Sequence, residues 1–117
     1  MSPRASSATA HELSRAGLLA TLSGEVLSRL AARMRREDVR PGSSPAADGE
    51  PGGRFYVVLA GMLTGASSGP LRPGDYFGEL VAEQGLPRSS SVRALTPAVV
   101  ASCDRATFDE FVRPLFA

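Results

Sequence analysis

A chain of 117 residues is long enough to bury one core without staples and too short for a second sizeable folded domain. With 43% hydrophobic and 21% charged residues it does not have the composition of a disordered tail, and a net charge of +1 excludes a broad cationic field that would draw it to nucleic acid or anionic lipid. Any anion site is therefore local; all thirteen basic residues are arginine, a compositional bias that makes any one arginine less informative.

The opening residues, MSPRASSATAHELS, are polar where an export signal needs an apolar core, and no apolar run approaches the ~20 residues that span a bilayer. A cytoplasmic protein with no membrane partner is the expectation. Residues 1–12 read as a loose N-terminus and residues 13–117 as one domain. A short helical pattern covers residues 11–19. A second helix follows, capped by Ser23, with Val26, Leu27, Leu30 and Met34 on one stripe, and it is expected to end before Pro41 and Gly42.

The periodicity then changes. Glycine and proline recur at short intervals and leave only strand-length apolar runs: RFYVVLAG, SVRAL and AVVASC. Many short strands with glycine-rich corners predict an antiparallel barrel or jelly roll, in which closure hides the edges. Within AVVASC the lone Cys103 excludes an internal disulfide and reads as an inert buried thiol in a reducing compartment. The last segment, DRATFDEFVRPLFA, returns to helix, with Asp104 as its cap, Phe108, Phe111, Val112 and Leu115 on the apolar face, and Pro114 at its finish.

Between these runs stands GDYFGELVAEQGLPRSSSV, residues 74–92. Gly78 permits a tight turn into Glu79, Leu80 and Val81, and a helix start there would present unpaired N–H groups to an anion. The Glu79 carboxylate is an acceptor suited to sugar hydroxyls. Beyond Gly85 and Pro87, Arg88 offers a rigid fork of donors for phosphate oxygens, and Ser89 and Ser90 add hydroxyls and N–H groups beside it. The combination describes a sugar-phosphate site with acceptor and donor parts separated. A Glu and an Arg this close in sequence more often form a partly exposed ion pair than a ligand site.

The segment FGELVAEQGLPRSS resembles the phosphate-binding cassette of the cyclic nucleotide-binding domain family. The resemblance extends to LLATLSGEVLSRLAARM for the opening helices, VRPGSSPAADGEPGGRFYVVLAG for the first strands, and SVRALTPAVVASCDRATFDEFV for the closing strands and following helix. It implies a mainly β fold, a β-roll or jelly-roll barrel with N-terminal helices and a short C-terminal helix, and a non-catalytic regulatory module binding cAMP or cGMP. By position, Glu79 matches the residue that takes the ribose 2′-hydroxyl and Arg88 the one that pairs with the cyclic phosphate. Gly78, Leu80 and Val81 match pocket-lining residues that act largely through backbone groups. Ser89 stands where alanine or threonine occurs and is compatible with cAMP while leaving cGMP open; Ser90 adds a small donor at the wall. Phe77 reads as the anchor of the cassette.

Against the family pattern, the stretch between Gly61 and Gly74 is short, so two strands or their loop must be clipped. SSPAAD alternates weakly where a strand is expected, and Ala117 comes before the long helix that covers the base in many members. The rival reading is a protein-interaction or dimerisation module that keeps the shape without a ligand. The partners expected are a cyclic nucleotide and either a second copy or a separate effector protein.

Other functions lack their residues. His11 and the distant Cys103 do not make a metal cluster, so neither metal nor cofactor is expected. No serine has a histidine nearby to activate it, and no lysine is present for a phosphate-binding loop of the nucleotide triphosphatase kind. Nor is there room after the strands for a helix-turn-helix reader of DNA. An enzyme is not expected.

Overall fold

The computed structural model describes residues 8–45, 53–65 and 69–116. At the N-terminus Thr9 caps α1 (Ala10–Leu13): its hydroxyl accepts from the Glu12 N–H while the Glu12 carboxylate accepts from the Thr9 N–H, each at 3.1 Å. This capping box starts the helix before residue 11. The helical pattern read over residues 11–19 breaks after Leu13 and resumes only as a 3-10 turn, Leu19–Thr21.

Helix α2 (Gly24–Ala32) is capped as its sequence predicts, with the Ser23 hydroxyl accepting from the Val26 N–H at 3.3 Å and Leu27, Leu30 and Ala31 buried. It does not continue to Pro41. Arg35–Val39 forms β1 instead, pairing antiparallel with β7 (Ala98–Cys103) from Arg35 opposite Ser102 to Val39 opposite Ala98. RREDV has low strand propensity, and a distant partner rather than local preference decides its state.

Two antiparallel sheets follow. The larger has the order β1-β7-β2-β5, with β2 Phe55–Ala60 and β5 Tyr76–Phe77. The smaller has the order β4-β3-β6, from Gly69–Leu71, Leu63–Gly65 and Val92–Ala94. The runs RFYVVLAG, SVRAL and AVVASC thus all contain strands. β3 and β4 have three residues each, which is the clipped hairpin expected between Gly61 and Gly74. At the start of SSPAAD, Gly42 donates to the Ala94 carbonyl at 2.7 Å and the Ser43 carbonyl accepts from the Ala94 N–H at 2.9 Å; residues 46–48 of that stretch lie outside the described residues.

The expected closed barrel is not what forms. This is a mixed α/β fold in which two open antiparallel sheets are flanked by helices, and among the described residues no ladder joins one sheet to the other. Closure would need long, staggered edge strands. The four edges here are two-residue β5, three-residue β4 carrying Pro70, three-residue β6 and the charged β1, which are short or blunted in the way open edges are protected.

The central strands β2 and β7 are covered on both faces. Phe55, Val57, Leu59, Ala101 and Cys103 face one cluster together with Leu13, Leu19, Leu27, Leu30, Phe108, Phe111 and Val112 of the helical segments. Tyr56, Val58 and Val100 face the other, filled by Leu63, Leu71, Phe77 and Val92. The chain closes with α3 (Arg105–Thr107), where the Asp104 carboxylate accepts from the Thr107 N–H at 3.0 Å, then a π turn, Phe108–Val112, and a 3-10 turn, Arg113–Phe116, that contains Pro114.

Candidate functional site

The cassette is hung from the sheets at its first residues. Phe77 pairs with Tyr56 across β5 and β2, and their rings stack 4.9 Å apart at an interplanar angle of 4°. Gly78 then turns at φ +126°, and a Cβ there would lie 2.4 Å from the Arg54 carbonyl oxygen. Gly53 is equally confined, since a Cβ on it would meet the Glu79 Cβ at 2.5 Å. Residues 53 and 54 therefore lie directly against residues 78 and 79, at a separation only glycine allows. The Gly78 N–H donates to the Pro87 carbonyl at 2.9 Å, closing the neck of the loop.

Glu79–Gln84 forms a 3-10 helix kinked at Val81, which is fully buried, and it ends at Gly85 in the left-handed region. Leu80 is half-buried, and its N–H points to the Arg54 carbonyl at 3.5 Å. The helix start predicted to hold an anion thus has two of its N–H groups, those of Gly78 and Leu80, turned to protein carbonyls.

The Glu79 carboxylate is the polar centre. One oxygen accepts from both the Ser89 hydroxyl, at 2.6 Å, and the Ser89 N–H, at 3.0 Å; the other accepts from the Arg54 N–H at 3.4 Å. Burial works to raise its pKa, but the Ser89 hydroxyl and the backbone N–H groups around the carboxylate outweigh it and hold the group below its ordinary value. Ser89 is buried and begins the 3-10 turn Ser89–Ser91.

Arg88, immediately before, is extended and exposed, and among the described residues its guanidinium has no hydrogen-bond or ion-pair partner. Glu79 and Arg88 therefore do not form the ion pair that their closeness in sequence allowed. Ser90 is exposed; with Ser91, Thr64, Gly65 and Arg93 it lines an open groove of about 410 Å³. A second groove, of about 300 Å³, is lined by Leu71, Asp75, Tyr76 and Leu86.

Arg54 and Ser102 were not singled out from the sequence. Arg54 is 7% exposed, with Nε 3.0 Å from the Ser102 hydroxyl and an Nη 3.2 Å from the Ser102 carbonyl oxygen. The signal was present in RFYVV, where alternation puts residue 54 on the same face as Tyr56 and Val58. Tyr56 lies fully buried on that face, and its phenol is pushed up to about 12 by burial, with Glu37 and Glu79 adding to the effect.

With this geometry in place, the comparisons with known proteins are specific. The family model of the cyclic nucleotide-binding domain matches residues 36–114. The chain is 31% identical over 102 residues to a cAMP-dependent protein kinase regulatory subunit of Debaryomyces hansenii, covering 83% of this chain and 23% of that protein. It is 34% identical over 93 residues to a cyclic nucleotide-gated potassium channel of Mesorhizobium japonicum, covering 78% of this chain and 26% of the channel. Among solved structures, the regulatory domain of Toxoplasma gondii protein kinase A with cAMP superposes with a TM-score of 0.67 at 26% identity, over 91% of this chain and 44% of that one. The chain thus spans about a quarter of the length of these two curated relatives.

Proposed function

This chain belongs to the cyclic nucleotide-binding domain family, and we propose that it is a non-catalytic regulatory or sensor module for cAMP. One observation carries the reading: Glu79 is locked inward as an acceptor by Ser89, while Arg88, one residue away from Ser89, points its donors to solvent. A cyclic nucleotide needs both parts. Its 2′-hydroxyl donates to a carboxylate, which has about four lone-pair sites and so keeps room beyond its internal partners, and its cyclic phosphate accepts from the guanidinium. Phe77, Gly78, Leu80 and Val81 set the wall between them, and Ser90 adds a hydroxyl beside Arg88.

Ser89 suits either base: its hydroxyl donates to Glu79 at 2.6 Å while its oxygen keeps lone pairs for a guanine amino group. The choice of cAMP rests on relatives such as the cAMP-dependent protein kinase regulatory subunit of Debaryomyces hansenii. The setting we infer is cytoplasmic, which suits the buried free thiol of Cys103. Among the described residues no helix is long and apolar enough to cross a membrane. The output passes to a second copy or to a separate effector.

One observation favours a scaffold that has kept the shape without the ligand: both Glu79 oxygens already have protein partners. Thermal melts separate the two readings. Saturating cAMP raises the melting temperature through binding linkage, by about 2.7 kcal/mol of stability at one hundred times Kd, and 5′-AMP does not. No shift with cAMP, or equal shifts with both nucleotides, supports the empty scaffold.

A further inference from the structure

We infer that Arg54 is a positioning residue for Glu79, a role that rests on reading Glu79 as the ribose acceptor. The backbone of Arg54 is the floor on which the cassette sits. Its N–H reaches one Glu79 oxygen at 3.4 Å, its carbonyl faces the Leu80 N–H at 3.5 Å, and the same carbonyl occupies the space that a Cβ on Gly78 would need. Both polar contacts are long for hydrogen bonds, so they hold only if the peptide of residue 54 is itself held in place.

The side chain supplies that hold. In the β2–β7 ladder Phe55 pairs with Cys103 and Tyr56 with Ser102, so Arg54, just outside β2, is diagonal to Ser102 on the same face. Its guanidinium crosses that diagonal and donates to two acceptors of Ser102, the hydroxyl at 3.0 Å and the carbonyl at 3.2 Å. A planar fork on two acceptors fixes direction as well as distance, which a single ammonium does not. Arg54 as a whole residue is 7% exposed, which limits competition from water for these bonds. Strand β7 thus sets the position of the peptide at residue 54, and that peptide sets the Glu79 carboxylate, with Ser89 gripping its other oxygen.

The test titrates the full chain with cAMP and with 2′-deoxy-cAMP, which lacks the hydroxyl that Glu79 would accept. The wild type prefers cAMP. Arg54→Met weakens cAMP binding by about tenfold, the scale of one hydrogen bond to a charged group, and leaves 2′-deoxy-cAMP within about twofold, so the preference collapses. Ser102→Ala removes one acceptor of the fork and moves the preference the same way, and Arg54→Lys recovers part of it, with a thermal melt showing that each variant is folded. Equal loss of both nucleotides in Arg54→Met and Ser102→Ala, or an unchanged preference, overturns the positioning role and leaves the cAMP reading standing. A wild type that binds cAMP and 2′-deoxy-cAMP alike overturns the ribose role of Glu79, and the role of Arg54 with it.

Discussion

Glu79 is anionic where burial alone would favour its neutral form. Ser89 makes the difference, since it gives the carboxylate two donors from one residue. The sign of the linkage follows. A carboxylate whose folded pKa lies below its ordinary value of 4.5 contributes stability above that pH and loses it as the pH falls through the folded value. Acidification below about 4.5 should therefore destabilise the wild type more steeply than Glu79→Gln, as read from melting temperatures across a pH series. Asp104, held down chiefly by the Thr107 N–H at its helix cap, leaves a residual slope in both proteins. Identical slopes would mean that the Ser89 grip on Glu79 does not hold in solution.

The cassette works as an element because its neck is fastened while the Arg88 side chain beside that neck is not. Phe77 is stacked on Tyr56, Gly78 is bonded to Pro87, and Arg88 faces solvent. Gly78→Ala should cost about 1–3 kcal/mol of stability in chemical denaturation, because a Cβ would strike the Arg54 carbonyl from a backbone conformation that side chains resist. Ligand affinity should fall with it. A variant as stable as the wild type would show that residues 53–54 do not seat the cassette. The order of residues in this element was legible in the sequence because its chemistry is local: a glycine turn, one acid, one base and a serine run. Strand β1 was not. RREDV carries neither alternation nor β-branched residues to mark it, apart from its final valine, and it becomes a strand only by lying against β7, whose sequence is some sixty residues away. Arg54 and Ser102 were hidden for a related reason: an arginine before an apolar run looks like a strand end until its partner across the ladder is known.

At the scale of the whole molecule, short strands with glycine corners were correctly read as several β segments but not as two separate sheets. Closure depends on which edges meet, and that is set by long-range pairing and strand length rather than by any local signal. The same architecture gives the site a route outward. Val81 of the cassette belongs to the cluster that holds Leu27 and Leu30 of α2 and Phe108, Phe111 and Val112 of the C-terminal segment. A ligand that shifts the cassette would press on helical segments that pack against the sheet without belonging to it, the kind of bistable contact through which binding is passed on. All of this depends on whether the exposed guanidinium of Arg88 meets a cyclic phosphate, and isothermal titration calorimetry of cAMP into the full chain and into Arg88→Ala tests that directly. Saturable one-to-one binding by the wild type, weakened by about tenfold or more in Arg88→Ala with the fold intact, is the result expected for loss of a charge-assisted contact. No heat of binding at high micromolar cAMP, or equal affinity in the two proteins, would contradict it.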